Sequence, residues 1–565
     1  YILYRRGIEC KGFGITLRNT ELDFNLQEIK AGPVECFEPY YGQSNNGNVY
    51  DPCNLKSFTN LVLKSTDNLG VQLALADGGI EVDGQELIQE MLCKQLYLSQ
   101  FLIALTVLRE KGTFVCKLFD TNSLFSVGLI YLMHLCFEKM TIYKPRMSRP
   151  QNSERYMICM HKRNGVEPVV KYFNECHQLM WEWSTKKESY LQEFDIHELV
   201  PIEILQKNSE SGFCGKMHGF NTRMARHQVI ALKELRRFVE NPVLKDERQE
   251  KMRIICHEEW KIPLTDDRRL AYKNNAKHFS ELTEETFSRL WIGASIGIDD
   301  LREQSLTSSE LDSVFKSPFD WRVVVVQGNA TNFKESRGFY MSQGGGDIFR
   351  YNFVRREWEE PAISIELPKD TLVFGECVVE FSGYGSHQKR SRVFHLIDGL
   401  VINGKDVRHL HYIARHEILT KLAKSVNKSS RTNLSLIRAK HIVRMENIAD
   451  VLDKCQKREL RGENGMHWIC PIDHTDERSP IIKAAGILFL KLTKDPWVMA
   501  LSKSSNRKYW FNQNNGESVY TIPTLAVSNF FDTMQNRVMW KWTTDTNLYV
   551  PDDDPGSLST SMPMA

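Results

Sequence analysis

Asp77, Lys117 and Glu154 stand at corresponding places beside apolar runs of this chain. Asp77 ends the run in "LALADGG", Lys117 follows "FVC" in "FVCKLFD", and Glu154 opens "SERYMIC". Each run reads as a strand, the first as a buried one by its continuous apolar character. In an open α/β sheet ligands bind outside the carboxyl ends of the strands. An acid, an amine and a second acid could therefore share one pocket there. A lysine after "FVC" is costly to bury unless it is paired, and the two carboxylates could provide the pairing. Spacing alone leaves two readings open, a satisfied ion-pair network or a reactive site.

The elements that must position these residues follow a regular order. "GFGITL" reads as a short strand, and residues 37–51, "FEPYYGQSNNGNVYD", as a loop rich in Gly and Asn. "VQLALADGG" is a strand, and "GQELIQEMLCKQLYLSQFLIALTVLREKG" a helix by its apolar spacing and glycine stop. "TFVCKLFD" is a strand, "SLFSVGLIYLMHLCFEKM" a helix, and "TIYKP" and "ERYMICMHK" two further strands. Strand, helix, strand, helix, strand predicts a parallel doubly wound α/β sheet. The last two strands, joined by "RMSRPQNS", are expected to pair antiparallel at one edge.

Composition excludes several classes. Basic residues number 73 and acidic residues 71, so no global charge marks a nucleic-acid binder, and any such surface must be local. The 13 cysteines are scattered without a CxxC pair, which argues against a zinc site and for reduced thiols in the cytosol or nucleus. No metal is expected. "FLIALTVL" and "FSVGLIYLMHLCF" fall short of the roughly 20 residues of a membrane span, so a soluble intracellular protein with no membrane partner is expected. The opening, "YILYRRGIECKGFGITL", lacks a starting methionine and begins inside a helix-like pattern, as if its first element had lost its beginning.

"LALADGGIEVDGQELIQEMLCKQLYLSQFLIAL", "GTFVCKLFD", "FSVGLIYL" and "KPRMSRPQNSERYMIC" together resemble the FtsJ-like ribose 2'-O-methyltransferases, and "KGFGITL" and "FEPYYG" agree with them. The resemblance covers residues 1 to about 270 strongly and the rest more weakly in the same domain order. It is nearest to the branch that converts cap-0 to cap-1 by methylating the first transcribed nucleotide of capped mRNA. It implies a Rossmann-like domain, S-adenosyl-L-methionine as cofactor, the capped mRNA 5' end as substrate, and the nucleus as location. The family uses a Lys-Asp-Lys-Glu tetrad, whose last three members Asp77, Lys117 and Glu154 match. The first lysine lies upstream of a glycine-rich cofactor loop, and neither is present here; Lys11, in "CKGFG", falls after that loop and is not a substitute.

The chemistry explains why such residues are wanted. A ribose 2'-hydroxyl is a poor nucleophile at neutral pH, so positioning and removal or polarisation of its proton must supply the rate. A neutral amine can accept that proton, and a charged one can stabilise the developing alkoxide. By the resemblance Lys117 takes that role, with Asp77 and Glu154 orienting it. Asn48 and Val49 in "GNVYD" correspond to the segment around the cofactor's adenine; the plainer alternative for Asn48 is a turn residue. Leu87, Ile88, Gln89 and Asn152 correspond to RNA contacts, the alternative for Leu87 and Ile88 being helix core. Arg149 in "SRPQNSE" is a phosphate candidate, or an ordinary surface arginine.

The domains expected are therefore 1–165, a methyltransferase domain without its first part; 166–305, a helical extension and linker; 306–485; 490–525; and 526–565, a polar tail. "TLVFGECVVEF" and "RVFHLIDGLVINGKDVRHLHYIARHEIL" resemble the α+β nucleotidyltransferase core of mRNA guanylyltransferases. Activity of that kind needs a lysine in a KxDG motif. Lys334 in "NFKESRGFY" has Ser336 and Arg337 in place of Asp and Gly, so an inactive guanylyltransferase-like domain is expected although Glu376 is present. Residues 495–523 resemble a small all-β WW domain, with Trp497, Tyr509, Trp510, Phe511, Asn512 and Pro523 in place and Tyr520 at the second signature tryptophan. Such grooves hold proline-rich segments, and the implied partner is the carboxyl-terminal domain of RNA polymerase II. Two rivals to the methyltransferase reading are a non-catalytic adaptor for that polymerase tail and a nucleotidyltransferase.

Overall fold

The computed structural model describes all residues except 1, 22, 27–31, 81, 83, 146–147, 186–194, 208–211, 242, 245–247, 262–278, 295, 302–303, 307–313, 328–336, 384, 477 and 542–565. Lys334 and Ser336 lie outside the described residues. The chain divides into two units, one of residues 13–25 and 39–269 and the other of residues 1–12, 26–38 and 270–565.

The first unit is built on four strands, β1 (Val71–Ala76), β2 (Leu108–Leu118), β3 (Phe137–Tyr143) and β4 (Arg155–Lys162). Their order across the sheet is β1-β2-β4-β3. β1 and β2 are parallel, while β4 runs antiparallel to both β2 and β3. The last two strands thus pair antiparallel as expected, but not at the edge alone. The crossover from β2 to β3 leaves one strand's width open, and β4 returns into it.

Helices α1 (Pro52–Ser65), α2 (Lys94–Val107), α3 (Leu124–Cys136), α4 (Glu167–Thr185) and α5 (Phe213–Glu240) complete the unit. α1 starts where Asp51 accepts from the Cys53 N–H, with Pro52 at the first position. α3 starts at Ser123, whose side chain accepts from the Ser126 N–H. The buried Glu90 carboxylate takes the N–H groups of Asn122 and Ser123 at 3.0 and 2.9 Å. These caps fix the turn that follows β2.

The connections β1-α2-β2 and β2-α3-β3 step across the sheet in one direction, so right-handed crossovers put α2 and α3 on the same face. Phe114, Cys116, Met157 and Cys159 of that face are buried with Phe101, Leu129 and Met133. The other face keeps Leu73 and Leu75 at 38% and 63% exposure. The expectation of β1 as a buried strand is corrected, since none of its residues is buried. Ala74 and Ala76 pack half-buried against the helix-covered core, while Leu73 and Leu75 face the open side. Phe173, Cys176 and Met180 of α4 and Met217 of α5 join the same core, so part of the stretch read as an extension is integral to it.

In the second unit, ten described strands form a mixed sheet around the long antiparallel pair β5 (Thr371–Ser382) and β6 (Lys389–Ile402). Inside it, Asp398 of "LIDGL" accepts both Nε and NH2 of Arg415, at 2.8 and 2.7 Å, with both side chains fully buried. A second sheet contains β7 (Gly486–Lys491) and β8 (Val538–Lys541), which pair antiparallel. Residues 526–541 are therefore not tail. Asn529 and Asp532 form a capping box, and the helix they start buries Phe530 and Met534. Residues 542–565 lie outside the described residues.

Residues 497–519 form a three-stranded antiparallel sheet that begins with Trp497–Leu501. It is fastened to the unit at Met499, whose N–H donates to Asp320 Oδ1 at 2.8 Å and whose carbonyl accepts from Ser317 Oγ. Burial pushes the Asp320 carboxyl up to about 6. An acid raised in this way is bound more favourably in its protonated form. The fold gains from the proton below about pH 4 and loses that gain as pH rises through 6. Asp320→Asn keeps an acceptor for Met499 and removes the charge. It should stabilise the protein by about 2 kcal/mol at pH 7.5 and by nothing at pH 3.5; denaturant melts at the two pH values measure this.

Candidate active site

β1 and β2 end at the sheet edge where the antiparallel β4 begins, so Asp77, Lys117 and Glu154 reach one edge by different routes. Lys117 Nζ lies 3.1 Å from Asp77 Oδ1, with the lysine side chain 17% and the aspartate 74% exposed. Directly across the strands from Lys117 stands Tyr156. Its hydroxyl donates to Glu154 Oε1 at 3.2 Å, and Ser148 Oγ donates to the same oxygen at 2.9 Å. Burial, with the Asp77 and Glu154 carboxylates, pushes the Tyr156 hydroxyl up to about 12, so it remains a neutral donor at physiological pH.

The expected sandwich of Lys117 between two carboxylates is thus modified. Among the described residues, Lys117 pairs with Asp77 alone, and Glu154 reaches the site through Tyr156. Glu154 and Tyr156 are two residues apart and share a face, but Tyr156 takes the position opposite Lys117.

The glycines of "LALADGG" have separate tasks. Gly78 donates its N–H to Gln100 Oε1 at 3.1 Å, where an added Cβ would stand only 2.8 Å from that oxygen. A Cβ on Gly79 would stand 3.5 Å from Lys117 Nζ, so its absence leaves the amine approachable. The carboxylate closing β1 is therefore one partner of an amine over which the chain keeps open space.

The loop carrying Asn48 and Val49 is brought to the same region. Burial and the nearby Cys93 push the Tyr50 hydroxyl up to about 12. Burial raises the Cys93 thiol, and the Lys117 charge opposes that rise. The Cys93 thiol is thus within electrostatic reach of both Tyr50 and Lys117. Asn48 does act as a turn residue: its Oδ1 accepts from the Tyr50 N–H at 2.9 Å. Its carboxamide hydrogens have no partner among the described residues. The Val49 carbonyl lies 3.2 Å from His177 Nε2, and burial lowers that imidazole's affinity for a proton.

Leu87 is 100% and Ile88 48% exposed on a short turn leading into Gln89, which excludes helix core for them. Gln89 is half-buried and Arg149 is exposed. Asn152 is committed to its own loop. Its Oδ1 accepts from Lys144 Nζ at 2.6 Å and from the Glu154 N–H at 3.2 Å, and its N–H reaches the Arg149 carbonyl at 3.3 Å. Burial holds the Lys144 ammonium below the usual lysine range. Lys11 is engaged elsewhere, 2.9 Å from the buried Glu38 in the second unit. Sequence reasoning missed Tyr156, Ser148 and Lys144. The two-residue spacing of Glu154 and Tyr156 was the available signal; register was not.

Residues 1–162 match the model of the FtsJ-like methyltransferase family. Over 96% of its length the chain is 34% identical to cap-specific mRNA (nucleoside-2'-O-)-methyltransferase 1 of Danio rerio, covering 63% of that protein. It is 32% identical to the Homo sapiens protein of the same name, covering 62% of it, again over 96% of the chain. The Drosophila melanogaster protein of that name is 32% identical, and the chain covers 68% of it and 96% of itself. The chain belongs to the cap-specific mRNA (nucleoside-2'-O-)-methyltransferase 1 family. It spans about three-fifths of the length of the fish and human relatives. The family's methyltransferase part coincides here with the sheet that carries Asp77, Lys117 and Glu154.

The Lys117–Asp77 pair contributes little to stability, because one partner is mostly in water. Arg155, at 1% exposure, instead holds Asp120 at 2.8 Å and Asn221 at 2.9 Å from the inner face. Lys117→Ala should change the unfolding free energy by less than about 1 kcal/mol. Arg155→Ala should cost about 3 kcal/mol, because it empties the buried site of a large side chain and removes its bonds to Asp120 and Asn221. Chemical denaturation of both variants separates the reactive lysine from the structural arginine.

Proposed function

We propose that this protein methylates the ribose 2'-hydroxyl of the first transcribed nucleotide of capped mRNA, converting cap-0 to cap-1. The observation that carries this reading is the Lys117–Asp77 pair beside Tyr156–Glu154 at a sheet edge left open over the amine by Gly79. S-adenosyl-L-methionine supplies an already activated methyl group when bound. Asn48, whose carboxamide hydrogens have no partner among the described residues, and Val49 are the residues that would hold its adenine. Lys117, oriented by Asp77, serves the 2'-oxygen in one of two forms: charged, it donates to the oxygen as negative charge grows there; neutral, its Nζ lone pair accepts the hydroxyl proton. Tyr156 stays neutral and keeps Glu154 facing that edge. Exposed Leu87 and Ile88, with Gln89, offer apolar and amide contacts to bases. Arg149 and the Asn152 loop stand on the side of Glu154.

The second unit supports recruitment rather than chemistry in this reading. Glu376 is buried and taken by Lys440 and Arg337, which supports reading this unit as a guanylyltransferase-like domain without that activity. Labelled GTP with a divalent metal should leave no GMP on the protein. The three-stranded sheet fits a WW module that brings the enzyme to the carboxyl-terminal domain of RNA polymerase II in the nucleus. Tyr509 and Tyr520 rings lie 6.1 Å apart, and Arg507 sits 5.2 Å over Tyr520, itself 51% exposed.

In full-length protein, Lys117→Ala should lower methyl transfer to cap-0 RNA by at least about 10²-fold while leaving cofactor affinity unchanged. An active variant, or equal transfer to uncapped ribosomal RNA, would overturn the reading. Tyr520→Ala should weaken binding of a phosphorylated polymerase-tail peptide by roughly 2–10-fold without altering transfer to free RNA. Isothermal titration of the peptide measures this.

A further inference from the structure

Helix α5 runs up the first unit and past its candidate active edge. Phe213, in the first turn, packs against Tyr131 and His134 of α3, with ring centroids 5.1 and 5.8 Å apart. His134 lies in the last turn of α3, next to the start of β3. Two turns later Asn221 accepts from Thr121 Oγ1 at 3.0 Å and Arg155 NH1 at 2.9 Å. Thr121 lies just past β2, and Arg155 begins β4. α5 therefore climbs from the base of β3 to the edge that carries Asp77, Lys117 and Glu154. Residues 222–240 continue past Asn221 for about 28 Å at 1.5 Å per residue, with Met224 still packed and the turns after it largely exposed. Val229, Ile230 and Val239 on this stretch are 53%, 60% and 72% exposed, as projection away from the core requires.

The projecting stretch carries Arg223, Arg226, Lys233, Arg236 and Arg237 against Glu234 and Glu240. Both acids are consumed locally, Glu240 by Arg236 at 2.7 Å and Glu234 by Arg237 at 3.1 Å. Arg223, Arg226 and Lys233 are exposed, and none forms an ion pair among the described residues. Buried Met217 and Met224, one heptad apart, mark the packed face. Arg226 and Lys233, also one heptad apart, fall on the opposite face, with Arg223 beside them. The chain as a whole carries a net charge of only +2, so this excess is a local feature.

We propose that this face of α5 binds the phosphate backbone of the RNA as it leaves the active edge, downstream of the nucleotide that is methylated. The inference rests on the reading of that edge as an RNA-modifying site. Uncompensated arginine and lysine on a rigid projecting helix suit phosphates without reading bases, so the contact should be strong in low salt and indifferent to sequence.

The test uses the full chain and the triple variant Arg223→Gln, Arg226→Gln, Lys233→Gln, whose substitutions keep helix propensity. Fluorescence anisotropy would follow a capped RNA of about 20 nucleotides and a capped trinucleotide over a salt series. The variant should bind the longer RNA roughly 10-fold more weakly, with a salt slope shallower by about 2, and should bind the trinucleotide as the parent does. Equal affinity and slope for the longer RNA would overturn the inference, as would an equal loss on both RNAs. Methyl transfer by full-length protein to the capped trinucleotide reports separately on the active edge. Loss of that transfer alone would fail the catalytic reading and leave α5 as an RNA surface.

Discussion

The return of β4 between β2 and β3 is the constraint on which the candidate site depends. Because β4 is antiparallel, its beginning, not its end, meets the ends of β1 and β2. That single reversal brings Glu154 to the edge of Asp77 and Lys117 and sets Tyr156 opposite the lysine. It also places Arg155 on the inner face, where it ties the strand to Asp120 and Asn221. One dipeptide step, Glu154 to Arg155, thus separates a group on the candidate active edge from one that holds the fold.

Charge is used in two ways in this protein. In the second unit Asp398 and Arg415 are both fully buried and meet in a bidentate pair, and Glu376 is enclosed with Lys440. Such groups satisfy one another, and breaking either pair strands a buried charge. At the edge of the first unit Asp77 is largely in water and Lys117 keeps an open side. A pair left unsealed in this way sacrifices little stability and stays available to a third group.

The succession β1-α2-β2-α3-β3-β4 was legible in the sequence, because period is a local signal. α1 was not read, and "LREKG" and "FEKM", read as helix ends, belong to β2 and β3. Legible too were Asp77, Lys117 and Glu154 as one group. The wiring among them was not: strand register places Tyr156 between Glu154 and Lys117, and register is a property of the paired sheet. The one-sided packing of β1 was hidden for a related reason. Leu73 and Leu75 are more apolar than the half-buried Ala74 and Ala76 beside them, and only the handedness of the crossovers decides which face is covered. The fold of residues 530–541 was overlooked because the polar composition of the following segment coloured the reading of the whole carboxyl end.

β1 has a further consequence for handling the protein. It is the last strand of its sheet on one side, so its outer row of backbone donors and acceptors pairs with no described strand. Leu75, at 63% exposure, adds an apolar surface along the same element. Edges of this kind recruit a strand from a neighbouring molecule, and a net charge of +2 provides little long-range repulsion to keep copies apart. At this edge, among the described residues, the sheet is open to a further strand. Charged solubility tags or a lysine in place of Leu75 are the remedies that the geometry recommends.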